Sequence, residues 1–480
     1  MRHDQLLHER DREATGQPIS LSEILSALSF ALDLTEGAVP GHALRCCLLG
    51  MRLADEAQIS AEDRCSLYYA LLLKDIGCSS NAARICQIIG GDDRALKAGI
   101  KRVDWTRTNR PSPSMLRFLW QQVLPGAGVG GKIVRIGQMA LSQEKDNREM
   151  ITLRCDRGAQ IVRKLGMSIA TAEAVRSLDE HWDGSGYPEH RKKGQISRLS
   201  QMCAVAQHLD VFATEHGPEK AMDVLSERSG HWFNPDLVRL AKAAHARGSL
   251  WRLCTGETDV EDLRRAAVEL APWSGKMLAP GEIDTICEAF ADVVDAKSPF
   301  TYRHSIGVAD AAVLIAKEMG FSGGRLDLVR RAALLHDVGK LSVSNLILDK
   351  PGKLSAEEWA SVREHPGQTR EILGRISAFR ELATIAGEHH EKLDGSGYPD
   401  RRLGRELCLE SRIIAVADIY GALAEARSYR PGLDLDQIVA IMKKDVPEKL
   451  DEDCFESLLR GIAKRCADRG ATEVALAAAS

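Results

Sequence analysis

An all-α protein made of two copies of one helical bundle in tandem is what this sequence predicts, on three observations. Apolar residues recur at three- and four-residue steps, strand-like alternation bounded by Asn-Gly or Asp-Gly turns is nearly absent, and one block of sequence occurs twice. The 480 residues suffice for about two to four domains. Apolar types at 44% and charged types at 28% are ordinary globular values, which excludes disordered and low-complexity classes. Aromatics at 5% beside abundant Ala, Leu and Ile favour helix further.

The helical stretches run in order along the chain. LSEILSALSFALDL (21–34), EEWASVREH (357–365) and LDQIVAIMKK (435–444) each present one apolar stripe. A small hairpin is expected after each GSGYP. The repeat is read from DGSGYP at 183–188 and again at 394–399, and from GHALRCCLLGMRLADEAQIS (41–60) against RHSIGVADAAVLIAKEMGFS (303–322). ALLLKDIG (70–77) faces LLHDVG (334–339), and CAVAQHLDVF (203–212) faces IAVADIYGAL (414–423). The front copy, 1–245, carries an insertion at about 85–150. Within it KRVDWTRTNRPSPSMLR (101–117), basic and broken by prolines, predicts a solvated surface loop. Residues 246–281, with Gly, Pro and Trp breaks around one short helix, predict a linker. The rear copy spans 282–466, and 467–480 reads as a frayed helical tail.

Charge nearly cancels, 64 Lys and Arg against 68 Asp and Glu, so DNA and anionic membranes are not expected partners. No apolar run approaches the roughly 20 residues that span a bilayer. The opening MRHDQLLHERDREATG is polar where an export signal needs an apolar stretch. Twelve cysteines lie scattered without a CxxC pair, which predicts reduced thiols and a cytoplasmic protein.

The rear copy concentrates the chemistry. His304, His336-Asp337, His365, His389-His390 and Asp418 fall at the ends of apolar stretches, where a polar side chain is costly unless a partner satisfies it. One histidine on a helix is ordinarily a packed or surface residue, and even a His-Asp pair is ambiguous. HDxGK together with HHExxDGSGYP leaves little room for a purely structural explanation. Imidazoles and carboxylates without thiolates suit iron, manganese, nickel, cobalt or zinc rather than calcium. Seven ligands exceed one ion's needs and fit two.

H304…HDVGK (336–340)…H365-P-G…HHEKLDGSGYP (389–399)…RIIAVAD (412–418)…R427-S-Y-R430 resembles the HD-GYP phosphodiesterases, a subgroup of the HD-domain metal-dependent phosphohydrolases, over about residues 282–465. The resemblance implies a helical bundle with a two- or three-metal centre, often of iron or manganese, that hydrolyses a bacterial cyclic dinucleotide, usually cyclic di-GMP. Carried onto this sequence it implies one metal on His304, His336, Asp337 and Asp418 and another on Asp337, His365, His389 and His390, with Asp337 bridging. Lys340 would stand beside the attacked phosphate, and Arg427 and Arg430 would bind phosphate. Gly397, Tyr398 and Pro399 would shape the substrate pocket. Phe300 stands where relatives with a third metal carry a glutamate, so two metals are expected. Gly421 replaces the aspartate usual in the D-x-Y-D-A-L stretch. Two cations would neutralise the phosphodiester and hold a hydroxide for in-line attack, with Lys340 and the arginines stabilising the transition state.

Alignment of the copies keeps His42 opposite His304 and Asp75 opposite Asp337. Lys74 replaces His336, Cys78 replaces Lys340, Asp156 faces His365, Leu178 and Asp179 replace His389 and His390, and Gln207 replaces Asp418. The front copy is therefore expected to hold no metal and to serve as a scaffold, or to bind a nucleotide or regulatory protein. A degenerate half ahead of an active one also resembles relatives acting on cyclic GMP-AMP, which makes 3',3'-cyclic GMP-AMP the alternative substrate. A non-catalytic cyclic-dinucleotide sensor or partner-binding module is the second alternative; it predicts a missing ligand in the rear copy, and none is missing.

Overall fold

The computed structural model describes residues 19–103, 113–254, 257–272, 277–299, 303–425 and 432–479. The first helix, Leu21–Glu36, starts where Ser20 Oγ accepts the N–H of Glu23 and stops at Gly37, whose φ of 60° favours a residue without a side chain. Ser60, Ser168, Asn234 and Asp259 cap later helices in the same way, and Ser355 with Glu358 forms a reciprocal capping box before Ala356–Arg363.

All regular elements among the described residues are helical, as the periodicity predicts. The expected hairpins reduce to one isolated antiparallel bridge, Asp394–Leu403, and in the front copy to the bond from Lys193 N–H to Trp182 O that matches Gly404 N–H to Leu393 O. These turns fold back too briefly for a ladder because 3-10 turns and helices resume at once. No helix among the described residues is long and apolar enough to cross a membrane, and all cysteines are free thiols.

The copies match helix by helix. His42–Ala57 corresponds to His304–Glu318, Ala61–Leu73 to Gly323–Leu335, Ile169–Arg176 to Arg380–Gly387, and Arg198–His216 to Leu409–Ala424. The front copy's insertion is not an open loop. Helices Ala82–Ile89, Asp93–Ile100 and Pro113–Gln122 lead into Val129–Lys164, whose last turns match His365–Gly374. Lys101, expected in a solvated stretch, is buried against Glu36 because it is drawn to that otherwise unneutralised carboxylate; residues 104–112 lie outside the described residues.

The copies share one apolar core. Helix Leu21–Glu36 of the front copy packs on the turn 338–342 and on His365–Gly374 of the rear copy, and Pro280–Asp295 packs reciprocally on Val129–Lys164. Arg375 stacks 4.1 Å over the Phe30 ring, and Lys164 pairs with Asp292 at 2.7 Å. Residues 246–281 are no free tether either, since Leu250, Cys254, Leu263 and Ala267 are buried and Tyr68 donates to the Ala267 carbonyl at 2.9 Å. The stretch 467–479 continues helix Glu452–Ala479.

Candidate metal centre

Five separate pieces of chain bring the seven residues together. His304 opens its helix because the carboxylate of Asp295 receives the N–H and hydroxyl of Ser305, an arrangement matched by Asp33 with Gly41 and Ala43 in the front copy. His336 and Asp337 end helix Gly323–Leu335, and Gly339 lets that turn lie against the backbone of His365, where any Cβ would collide with the His365 carbonyl. His389 and His390 follow helix Arg380–Gly387. Asp418, expected to close its helix, sits in mid-helix, because the apolar period of Leu409–Ala424 runs on past it.

Asp337 lies at the centre. Its Oδ2 is 3.3 Å from His336 Nε2 and 3.7 Å from His304 Nε2, while its Oδ1 is 3.3 Å from His365 Nε2 and 3.7 Å from His389 Nε2. Asp418 Oδ1 stands 3.3 Å from His304 Nε2, and its Oδ2 stands 3.7 Å from His390 Nδ1. The outer nitrogens are already engaged. Nδ1 of His336, His365 and His389 donate to the carbonyls of Ala333, Val362 and Ala386 at 2.6–2.7 Å, which turns each Nε2 towards the cluster. His304 Nδ1 points instead to Glu425 Oε2 at 3.0 Å.

A metal fits this set. Nε2 of His304, Nε2 of His336 and Oδ1 of Asp337 are buried without any hydrogen-bond partner, a costly state that one or two cations among them would relieve. The donor atoms of His304, His336 and Asp418, and those of His365, His389 and His390, each gather within 4.8 Å. Burial drives His389 well below its ordinary pKa, helped by the neighbouring imidazoles, and takes His390 down to about 3; His365 is lowered for the same reason. Burial alone would protonate Asp337 and Asp418, but His336 and Lys340 hold the first, and His304 and His336 the second, well below the carboxylate range. Burial opposes charge on His336 too, yet the two carboxylates push it up to about 10.

Lys340 Nζ reaches Asp337 Oδ2 at 2.5 Å, at the partly exposed rim of the cluster. Tyr398 covers the other side, its ring 4.8 Å from that of His390, and Pro399 follows through a cis peptide bond. Glu391, the acid of the HHE triplet, accepts the N–H groups of Asp400, Arg401 and Arg402 and so staples the GYP turn. Glu180 staples the front copy's turn through Glu189 and Arg191. Outside Tyr398 an open cleft of about 670 Å3 is lined by Arg363, Gln368 and Arg401 among others, with Arg363 stacked on Trp359 and Tyr398. Arg427, Arg430 and Phe300 lie outside the described residues. Glu425, Trp359 and Arg363 escaped sequence reasoning. For Glu425 a signal existed, the missing aspartate at Gly421.

The front copy fills the same place with its own cations. Lys74 Nζ contacts Asp75 and lies 2.9 Å from His42 Nε2, and Lys101 Nζ lies 2.7 Å from Glu36 and 3.7 Å from Asp75. Arg154, not Asp156, stands where His365 does. The carbonyl that blocks a side chain at Gly77 belongs to Arg154, just as that at Gly339 belongs to His365. Asp156 faces outward to Arg176 at 2.8 Å. Arg154 pairs with Asp179, and Gln207 occupies the place of Asp418. Two buried ammonium groups and the half-buried Arg154 guanidinium thus occupy the ground where metals sit in such a centre.

A family model described as "HD domain" matches residues 134–237 and 288–454, that is, both copies. The chain is 40% identical over 443 residues to a 3'3'-cGAMP-specific phosphodiesterase of Vibrio cholerae, covering 92% of this chain and 94% of that protein. It is 38% identical over 159 residues to a cyclic di-GMP phosphodiesterase response regulator of Xanthomonas campestris, covering 33% of this chain and 42% of that one. The crystal structure of a cyclic GMP-AMP specific phosphodiesterase of V. cholerae superposes with a TM-score of 0.62 at 35% identity, covering 93% of this chain and 98% of that one. HD-domain proteins of this kind depend on metals, and the clustered donor atoms described above are of the type that hold them. With both copies matched and nearly the whole length aligned, the chain belongs to the HD-GYP family of cyclic dinucleotide phosphodiesterases.

Proposed function

We propose that the rear copy hydrolyses 3',3'-cyclic GMP-AMP at a centre of two divalent transition metals. The similarity that runs through both copies to a cyclic GMP-AMP phosphodiesterase carries this choice over cyclic di-GMP, which sequence reasoning ranked first; the cyclic di-GMP relative aligns with only a third of the chain. His304, His336, Asp337 and Asp418 would hold one ion and Asp337, His365, His389 and His390 the other, each oxygen of Asp337 facing one set of imidazoles. Nitrogen and oxygen donors favour iron or manganese, with nickel, cobalt and zinc also compatible. The metals would supply Lewis acidity and a nucleophile at neutral pH. Lys340 places a positive charge at the rim, where it stabilises charge gathering on the phosphoryl oxygens. The rings of Tyr398 and Trp359 give bases a surface to stack on. Arg427 and Arg430 keep the phosphate-binding role that the family pattern assigns them.

Side-by-side kinetics on the two cyclic dinucleotides, with iron or manganese reconstituted, test the reading. A kcat/KM at least about tenfold higher for cyclic GMP-AMP is expected. An equal or higher value for cyclic di-GMP overturns the assignment.

A further inference from the structure

The insertion does more in the front copy than cover a dead site. The described residues enclose a cavity of about 320 Å3 between the insertion helices and the place where the rear copy has its metal ligands. A volume of that order accepts a small molecule. Its wall is aliphatic, with Ile85, Ile89, Leu96, Leu119, Ile136 and Met150 as typical members. Its floor is polar and largely paired within itself: Lys101 with Glu36, and Arg154 with Asp179.

Three acceptors on this lining have no donor. They are Oδ1 of Asn81, Oε1 of Gln207 and Nε2 of His208. Their side chains belong to residues only 5%, 4% and 8% exposed. The acceptor character of His208 Nε2 follows from geometry, because Nδ1 donates to the Ala204 carbonyl at 2.8 Å. Burial and the nearby Arg228 keep that ring neutral. Buried acceptors without donors are costly, so three on one cavity wall point to a ligand that brings O–H or N–H groups.

Charge narrows the class. Glu36, Asp146 and Asp179 balance Lys97, Lys101 and Arg154 around the cavity, and a phosphate or carboxylate would have to break an existing buried pair to find a counter-charge. A nucleotide therefore does not suit this site. We propose that the front copy binds an uncharged, mainly aliphatic molecule whose polar head supplies O–H or N–H donors to the acceptors of Gln207, His208 and Asn81 while its chain lies among the insertion helices.

The test uses the full chain with 1-aminoanthracene, an uncharged dye that brightens in apolar cavities, and 1-dodecanol as competitor. We expect one dye per chain, displaced by 1-dodecanol in preference to ionised dodecanoate and to either cyclic dinucleotide. Gln207→Leu removes an acceptor that has no partner in the protein, so it is expected to fold and to weaken dodecanol competition about tenfold. Ala204→Phe fills the cavity from helix Arg198–His216 and is expected to abolish it. Failure of dodecanol to displace the dye from wild type overturns the proposal. Unchanged competition in Gln207→Leu, or displacement by dodecanoate or a cyclic dinucleotide as readily as by dodecanol, does the same.

Discussion

Nδ1 of His304 lies 3.0 Å from Oε2 of Glu425, whereas its front-copy counterpart His42 turns the same nitrogen to Asp210 at 2.5 Å. Asp210 occupies the position that Gly421 holds in the rear copy, so the orienting carboxylate has moved one helical turn along the chain. A carboxylate behind a metal-binding imidazole fixes its tautomer and raises its basicity. Glu425→Ala should therefore weaken metal affinity about 10- to 100-fold, measured by competition with a chelating dye. Gly421→Asp in that background should recover part of the loss, since a Cβ there lies 3.9 Å from His304 Nδ1, although the Cγ2 methyl of Val308 at 3.0 Å has to give way.

Asp337→Ala removes the carboxylate that faces both imidazole sets. Metal content should fall below one ion per chain by elemental analysis, and turnover should drop at least about 1000-fold. Full activity in a metal-replete Asp337→Ala preparation would refute the centre.

Metal uptake should tighten as pH rises from 6.5 to 8.5. His336 is pushed up to about 10 by Asp337 and Asp418 against the effect of burial, so a proton must leave its ring before the nitrogen can bind a metal. Higher pH removes that competitor. In the metal-free protein the sign is opposite. A histidine whose folded pKa is raised contributes its full stability below about 6.5 and loses it as pH climbs towards 10. Chelator titrations and melting curves at matched pH read the two trends.

In the front copy, Asp75 is buried between Lys74 and Lys101. Asp75→Asn leaves the buried Lys74 ammonium without a counter-charge, while Lys101 keeps Glu36, and should cost about 3 kcal/mol of stability in urea unfolding. Turnover per folded molecule should hold, since no substrate chemistry passes through that residue.

Asp93 ties the copies together. Its carboxylate accepts the N–H of Asn345 at 3.0 Å and stands 3.8 Å from the buried ammonium of Lys297. Burial lowers the Lys297 pKa to about 8, with Asp93 opposing that trend. Asp93→Ala should lower the melting temperature by several degrees and reduce turnover as well, because Asn345 ends the segment that begins at Asp337 and Lys340.

Helices, the repeat and all seven metal-ligand candidates were legible because each rests on local pattern: a 3.6-residue period, a duplicated DGSGYP, an adjacent His-Asp. Arg154 was not, because the insertion shifts the register and two residues decide between an inward guanidinium and an outward carboxylate. Nor was Lys101, whose neighbours along the chain are polar and whose partner Glu36 lies 65 positions away. Glu425 belongs to no motif; the missing aspartate at Gly421 signals that a partner for His304 must come from elsewhere, and the fold shows that it is Glu425.

The reach of the first helix across both copies has a consequence for how this molecule could be shortened. Phe30 and Glu23 meet Arg375 and Ser377, so the first helix roofs the rear copy as well as packing on its own. A fragment beginning at Pro280 would bare to water the hydrophobic underside of the HDVGK loop. The front copy forms part of its sibling's interior, whatever else it has come to bind.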